Sequence, residues 1–508
     1  MDVEADTSHQ EFSTLRGIFF PIHAYELKKI VPLGVILFFA LFNHFCLKNV
    51  KDALVVTNAG AEAIAFIKLF CVPPFAILFM LLYTKLADCL KNEHLYYTTL
   101  GFFVSFFVLF ALVLYPFREA LHPSPQVVAN LQTLFPAFFW VFSIWGVWTY
   151  ALFFVFAELW SSFILTLLFW QFVNQITGLK EAKRVYAFLT LLGQGAVTLS
   201  GCFGTLASDI RNKVSDSVDP WQISLYWIIG MVTVSSLISM YLYHWVYKNV
   251  LTDPRFYNKP DLPGVKLKKK KKSSIWQSLK MVCRSPYLGL IALLVMCYGI
   301  GDNIIENFWK HELGQRYPNI NEYNTFMNQY TIAYGFLSMI ILIIAGNVFR
   351  RFSWGVGAIL TPLVLGIGGT VLFLAILSKN IFLNGLGTML SFQTMVVTVG
   401  FFVLVLDKSF KMSFFDISKE LAFIPLSEEL KIKGKAIVDV LGYRFGKSAG
   451  SGLQVILLTL VSVFSGLQAT YSDIAIYAFF TFLLCSLVWI IAVLKLNKRI
   501  RPDKVINE

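Results

Sequence analysis

The chain has 508 residues, of which 57% are hydrophobic, 16% aromatic and only 14% charged, and its formal net charge is +13. Soluble domains carry about 25% charged residues, so this composition excludes an ordinary soluble protein and predicts an all-α polytopic membrane protein. The seven cysteines contain no CxxC pair and the seven histidines lack metal-ligand spacing. We therefore expect no disulfide framework, no metal, no cofactor and no catalytic centre.

The N-terminal segment, residues 1–29, is polar and ends in basic residues. It has neither the pattern of a secretory signal peptide nor that of a long transit peptide. We therefore expect this segment to be cytoplasmic and the protein to lie in a bacterial inner membrane.

Six apolar runs follow, each long enough to cross ~30 Å of hydrocarbon. They lie at about 30–56, 61–82, 95–116, 134–173, 185–206 and 223–246. The fourth run has room for one overlong helix or for two. Counting it once places Lys180, Lys183 and Arg184 on the same side as both termini, as the excess of basic residues in cytoplasmic loops requires. We therefore expect one long, tilted or broken helix.

A basic segment at residues 248–284 contains Lys266 and the run Lys268–Lys272, and it separates these six runs from six more. We interpret the lysine block as a topology signal or a contact with anionic lipid, which is its usual role beside a membrane. The later runs lie at about 288–305, 330–348, 355–377, 381–406, 436–464 and 474–496.

The predicted organisation is therefore two six-helix halves, residues 30–247 and 285–496, joined by the basic linker and followed by a cytoplasmic tail at 497–508. About twelve spans with both termini cytoplasmic are the plan of major-facilitator-like transporters, whose substrate site lies at mid-membrane between the halves. Charged residues within the spans are the first candidates for such a site.

The stretch Lys433–Gln454 begins a membrane run, yet it carries Asp439, Arg444 and Lys447. Each such charge costs about 2.5 to 3.5 kcal/mol near mid-bilayer, so these side chains must face water, substrate or one another. Three glycines recur there every four residues, which allows a neighbouring helix to approach closely. The sequence GKS in this stretch lacks the earlier glycine and the preceding strand of a P-loop, so an ATPase is not favoured.

Four cations, Lys51, Lys68, Arg444 and Lys447, come from three different spans. If they converge, they form a cavity suited to a multiply charged anion such as a triphosphate, because ammonium and guanidinium groups are the usual partners of phosphate. The other charges in or beside the spans are Asp52, Glu158, Asp302, Glu306, Lys310, Asp407 and Asp439. For Asp52, Asp407 and Asp439, buried ion pairs that only fix helix register remain an open alternative to a functional role.

Glu158 stands in an otherwise apolar run and has no local partner. A carboxylate in that position stays charged only if a lysine reaches it, so we expect a proton-relay or gating role. Glu306 lies four residues before Lys310 on one helix face and is a candidate for the same role.

Five blocks of the sequence resemble the nucleotide transporters (ATP/ADP translocases) of plastids and of obligate intracellular bacteria such as chlamydiae and rickettsiae. The blocks are KNVKDALVVT with GAEAIAFIK at 48–68, FAELWSSF at 156–163, LFWQFVNQIT with EAKRVYAFL at 168–189, IIENFWK at 304–310, and KELAFIPL with KIKGKAIVDV and GKSAG at 419–450. The resemblance implies exchange of ATP and ADP, or import of other nucleotides, without hydrolysis.

The resemblance also implies roles for single residues: phosphate contact for Lys51 and Lys447, and coupling or gating for Glu158 and Glu306. From their charge and position we add Lys68 and Arg444 to the phosphate contacts and Asp439 to the coupling candidates. ATP/ADP exchangers of this family typically read RDTKD where this chain reads KNVKD at residues 48–52, so an arginine and a carboxylate are replaced by lysine and asparagine.

ATP/ADP-type exchange by alternating access is the leading interpretation, with nucleotides and the lipid bilayer as partners and no nucleic acid. The alternative is proton-coupled import of nucleoside triphosphates such as UTP or GTP. It needs a carboxylate that can be neutralised without substrate, for which Glu158 and Glu306 qualify, and it adds protons to the partners. A membrane-embedded transferase is disfavoured, because no His, carboxylate or metal constellation marks a membrane edge.

Overall fold

The computed structural model describes residues 26–177, 179–209, 219–252, 285–382, 389–426, 438 and 442–500. Within these ranges the chain is almost entirely helical and contains no β-strand. Its long helices are α1 Leu27–Ala59, α2 Glu62–Cys89, α3 Asn92–Leu114, α4 Trp148–Val173, α5 Leu179–Ser208, α6 Pro220–Asn249, α7 Pro286–Arg316, α8 Ile320–Arg351, α9 Trp354–Phe382, α10 Met389–Phe410, α11 Tyr443–Ser465 and α12 Tyr471–Arg499.

Ten of these helices have the length and apolar composition needed to cross a membrane, and α5 and α10 overlap the predicted fifth and tenth spans. The predicted all-α membrane bundle is therefore confirmed. The N-terminal segment to residue 25, the linker from 253 to 284 and the tail from 501 lie outside the described residues. The division into halves stays a prediction, and we call α1–α6 the N-terminal group and α7–α12 the C-terminal group.

The fourth apolar run contains one span, preceded by a break. A short helix, Phe139–Gly146, ends at Val147, whose φ of −128° and ψ of 40° are not helical. The long helix α4 then starts at Trp148. The expectation of a single, broken helix in this run is confirmed, and the residues before the break are too few to form a second span.

Helices α7 and α8 are longer than hydropathy predicted. The seventh run was expected to end near residue 305 and the eighth to begin near 330, but α7 continues to Arg316 and α8 begins at Ile320. The additional turns carry polar side chains that are buried, such as Lys310 and Asn324. Lys310 pairs with Asp52 of α1, and Asn324 donates to Ser208 of α5, so these polar groups find partners on other helices and hydropathy alone mistakes them for loop. The tenth run was also placed too early, since α9 extends to Phe382.

The predicted glycine seam of α11 packs against α7. A Cβ atom at Gly446 would lie 2.7 Å from the carbonyl oxygen of Met296, and one at Gly450 would lie 3.3 Å from Cβ of Asn303. Only glycine permits so close an approach of two helices. The seam therefore holds the first turns of α11, with Lys447, beside the charged part of α7.

Several contacts between the two groups lie toward one end of the bundle. We call this end the Gly60 side, because it holds the α1–α2 connection at Gly60. On this side of the helix midpoints, Asn49 of α1 donates to Asn328 of α8 at 2.7 Å, and Asn324 of α8 donates to Ser208 of α5 at 2.8 Å. The described part of the bundle is thus closed on the Gly60 side.

Candidate functional site

The ammonium group of Lys51 is the centre of the first charged cluster. Its Nζ lies 3.2 Å from Oε2 of Glu158, 3.1 Å from Oδ1 of Asp52 and 3.7 Å from the centre of the Phe154 ring. Phe154 and Glu158 are four residues apart, so they project from one face of α4. The Lys51 side chain is 3% exposed and that of Glu158 is 30% exposed, so the carboxylate borders open space and the lysine lies behind it. Lys51 is therefore the lysine that Glu158 was expected to need in order to stay charged.

Two more cations lie around Glu158. Lys68 of α2 and Lys447 of α11 are both within electrostatic range of the Glu158 carboxylate. Lys68 sits in the π-helical segment Ile67–Cys71, is partly exposed, and makes no ion pair or hydrogen bond with the described part of the chain. Single π turns often mark functional sites. Because Lys447 belongs to the C-terminal group, both groups contribute cations.

Arg444 joins the same region from α11. Its guanidinium group donates a hydrogen bond to the hydroxyl of Ser162, which is one helical turn from Glu158 on α4. Of the four cations selected from the sequence, Lys51 contacts Glu158, Arg444 contacts Ser162 on the next turn, and Lys68 and Lys447 are within electrostatic range of Glu158.

The second cluster is organised by Glu306. Its Oε1 lies 2.8 Å from Nζ of Lys310 and 3.8 Å from Nζ of Lys48, and its Oε2 accepts from Lys408 at 2.9 Å. Lys310 Nζ is also 2.8 Å from Oδ2 of Asp52. The pairing of Glu306 with Lys310 along one face of α7 is as predicted, whereas the other contacts connect α7 to α1 and α10. Asp52 is thus a buried ion-pair partner.

Lys408 of α10 was missed by the sequence interpretation, which selected its neighbour Asp407. Lys408 pairs with Glu306 and with the fully buried Asp302. Asp407 is buried too, but it forms no ion pair within the described ranges. Asp439, the remaining coupling candidate, lies outside the described residues. Two adjacent charged residues in an apolar run are both predicted to be buried. Which of them forms an ion pair depends on how the helices pack.

Asn49, which replaces the carboxylate typical of ATP/ADP exchangers, contributes to the contact between the groups. Its Nδ2 donates to Asn328 at 2.7 Å and to Thr331 at 3.0 Å, both on α8. Lys48, the other replacement, is 19% exposed and lies beside Glu306. The two replacements thus have different surroundings: one holds α1 against α8, and the other borders the charged cluster.

A third polar cluster closes the Gly60 side, and sequence reasoning did not find it. Glu62 at the start of α2 lies 2.8 Å from His311 Nδ1 and accepts from the backbone N–H of Tyr471 at 2.9 Å. Close by, Trp140 Nε1 donates to the carbonyl oxygen of Ala469 at 3.0 Å. The available signal was Glu62 itself, a carboxylate inside the second apolar run.

The lysines of the first two clusters are arranged so that they can exchange one ion-pair partner for another. Lysines alternate with carboxylates, so an incoming phosphate can replace a carboxylate at a lysine and leave that lysine paired. Among the described residues, no group of three or more His, Cys, Asp or Glu could hold a metal ion. A surface depression of about 450 Å³, lined by Leu457, Val461 and Phe464 among others, has no charged side chain and does not suit an anion.

The chain matches a protein-family model described as TLC ATP/ADP transporter over residues 5–500. ADP,ATP carrier protein 1 of Chlamydia muridarum (strain MoPn / Nigg) is 41% identical over 97% of this chain and 92% of its own length. ADP,ATP carrier protein 1 of Rickettsia prowazekii (strain Madrid E) is 38% identical over 97% of each chain. The similarity therefore covers all the helices described above.

Solved transporter structures share the fold. A bacterial homologue of the iron transporter ferroportin, in an inward-facing state, superposes with a TM-score of 0.60 at 14% identity and covers 94% of this chain and 100% of its own. A POT family transporter gives a TM-score of 0.54 at 9% identity, covering 91% and 96%. Similarity at such low identity concerns the fold alone, and it confirms the predicted major-facilitator-like architecture.

Proposed function

This chain belongs to the TLC ATP/ADP transporter family, and from this membership we propose that it exchanges ATP and ADP across a membrane by alternating access. It is a multi-pass membrane protein of a transporter family, and we propose that it acts as a carrier and not as an enzyme. In our proposal the nucleotide crosses without hydrolysis. Proton-coupled import of UTP or GTP is not favoured, since the relatives from Chlamydia and Rickettsia are named ADP,ATP carriers.

The observation that supports this proposal is the meeting of cations from both groups of helices around Glu158. We assign phosphate contact to Lys51 and Lys68 of the N-terminal group and to Arg444 and Lys447 of the C-terminal group. A substrate that contacts both groups of helices can drive the transition between the state open to one side of the membrane and the state open to the other. Its binding free energy then depends on the relative position of the two groups.

We assign coupling or gating to Glu158 and Glu306, and Asp439 keeps this role as a sequence-based proposal. Both described carboxylates hold lysines that a phosphate group would otherwise bind. Nucleotide and carboxylate therefore compete for the same ammonium groups, so binding rearranges the ion pairs between helices.

We further propose that the protein lies in a bacterial inner membrane with both termini in the cytoplasm. The basic linker at 248–284 and the basic residues at 180–184 then face the cytoplasm. In this orientation the Gly60 side faces outward, and the structure corresponds to a state closed toward the outside.

The direct test is uptake of labelled ATP, ADP, UTP and GTP into proteoliposomes, either empty or preloaded with ADP, with and without an imposed proton gradient. We expect uptake of ATP that requires internal ADP and is unaffected by the gradient. Replacement of a phosphate contact, as in Lys447→Ala, should abolish this uptake and leave the folded protein intact. Gradient-driven uptake of UTP or GTP into empty vesicles would contradict the proposal.

A further inference from the structure

Two consecutive side chains of α7 join it to the N-terminal group on the Gly60 side. Lys310 Nζ lies 2.8 Å from Asp52 Oδ2 on α1, and His311 Nδ1 lies 2.8 Å from Glu62 Oε1 on α2. All four side chains are buried. We call these two contacts the latch pairs. Separating buried partners of this kind is costly unless each charge finds another partner.

The α1–α2 connection positions the two acidic residues of the latch pairs. Gly60 has a φ of 88°, a conformation that favours glycine, and it turns the chain directly from α1 into α2. Asp52 and Glu62 therefore face α7 from two neighbouring helices. The ring of Trp140 covers this turn, since a Cβ atom on Gly60 would lie 2.7 Å from it.

Each charge of the Asp52–Lys310 pair has a second partner on its own helix. Asp52 lies 3.1 Å from Lys51 on α1, and Lys310 lies 2.8 Å from Glu306 on α7. If α7 moved away from α1, both charges would stay paired within their own groups. The Asp52–Lys310 contact can thus break without leaving either of its charges unpaired in the membrane.

Glu306 connects this pair to the open space of the proposed site. Lys48 and Lys310 share its Oε1, and Lys48 is the more exposed of the two, 19% against 1%. A phosphate that attracts Lys48 leaves Glu306 with less positive charge around it. The pull of Glu306 on Lys310 then grows relative to that of Asp52, because the Lys48 charge no longer offsets it.

We infer that the latch pairs hold the empty transporter closed on the Gly60 side, and that nucleotide phosphates release them through Lys48 and Glu306. This inference rests on the proposed exchange function and extends it. Asp52, Lys310, Glu62 and His311 are positioning residues in this scheme and do not contact the nucleotide. Exchange is then obligatory because the empty protein remains latched.

The test measures the ratio of labelled ATP uptake into empty proteoliposomes to uptake into ADP-loaded ones. Asp52→Asn removes the acidic charge of the Asp52–Lys310 pair. Lys310 keeps Glu306 as a partner, so no buried charge is left alone. We expect the ratio to rise about tenfold, a typical coupling between sites, since the empty protein can now change conformation. Glu62→Gln should act in the same direction and serves if Asp52→Asn does not fold.

Two control variants separate the latch from general effects of substitution. Lys310→Arg keeps the charge and should keep the wild-type ratio. Asp219→Asn breaks an ion pair of 3.0 Å with Arg118 inside the N-terminal group, and it should also leave the ratio unchanged.

The outcomes are distinct. A folded Asp52→Asn variant that depends on internal ADP as strictly as the wild type would overturn the inference, whether its exchange is fast or slow. Loss of uptake into both kinds of vesicle would overturn it too, because a released latch predicts more movement of the empty protein. Failure of the wild-type protein to exchange ATP for ADP would instead refute the proposed function.

Discussion

Lys51 Nζ lies 3.2 Å from Glu158 Oε2, so a lysine proposed to contact phosphate has a carboxylate partner within the protein. A phosphate group that binds Lys51 must compete with Glu158 for it. Since Lys51 also lies 3.1 Å from Asp52, it remains paired whether Glu158 stays or leaves. In our proposal Lys51 supplies positive charge to the phosphates, and Glu158 competes with the phosphates for that charge. Substituting each residue in turn tests the two effects separately.

Replacing Lys51 with glutamine should lower kcat/KM for ATP exchange by roughly ten- to a hundredfold, the worth of a hydrogen bond to a charged group. The measurement is initial exchange rate against ATP concentration in proteoliposomes. Lys411→Gln is the matched control, because Lys411 forms a partly exposed ion pair with Asp416 inside the C-terminal group. Wild-type kinetics in the Lys51 variant would remove Lys51 from the phosphate contacts.

Replacing Glu158 with glutamine should lower both KM and kcat. A neutral side chain no longer competes with phosphate for Lys51, so the nucleotide binds more tightly and leaves more slowly. Direct binding of ATP to the purified variant, combined with exchange kinetics, distinguishes this result from a folding defect. An increase in KM would show that Glu158 assists binding and does not oppose it.

The positions of the helices could be predicted because the length of an apolar run directly reflects the thickness of a membrane. The ends of α7 and α8 could not, because residues such as Lys310 and Asn324 bury their polar groups between helices. The charged candidates were also accessible from sequence, since the cost of burying a charge depends on the residue itself. Their functional roles remain predictions.

The pairing of the charges could be predicted only where both partners lie on one helix. Glu306 and Lys310 are four residues apart, and their contact of 2.8 Å follows from helical geometry. The interhelical partners, Glu158 for Lys51 and Lys310 for Asp52, depend on how α4 and α7 pack against α1, and no local pattern encodes that. For the same reason no local pattern favoured Lys408 over Asp407.

Replacing Lys68 with alanine should weaken nucleotide binding without reducing stability. Lys68 forms no ion pair or hydrogen bond with the described residues, so its removal leaves no carboxylate without a partner. We expect KM for ATP to rise several-fold, with a larger effect on ATP than on ADP because ATP carries one more phosphate. Thermal unfolding of the detergent-solubilised variant provides the check on stability. Equal effects on ATP and ADP would place Lys68 away from the terminal phosphate.

Lowering the pH should destabilise the protein partly through His122, which lies outside the spans. Burial, and then the charge of Arg118, lower the pKa of His122. The folded state thus prefers the neutral ring, and its stability falls as the pH drops below about 6.5, the usual histidine value. His122→Gln should reduce the loss of thermal stability between about pH 7 and 5. The exposed His94 provides the matched control, and identical pH profiles for wild type and His122→Gln would contradict this assignment.

Replacing Gly201 with valine should prevent closure on the Gly60 side. A Cβ atom at this position of α5 would lie 2.7 Å from the carbonyl oxygen of Asn328 on α8, and backbone cannot turn aside as a side chain can. We expect exchange to fall at least about tenfold, the typical scale of a coupling between conformational states.

A cysteine at the buried Val56, in a background without the seven native cysteines, should at the same time react faster with a thiol reagent added from the Gly60 side. Gly195→Ala is the control on the same helix, since a Cβ there meets nothing within 4 Å. Unchanged labelling of Val56→Cys in the Gly201→Val variant would show that the α5–α8 contact does not control access from this side.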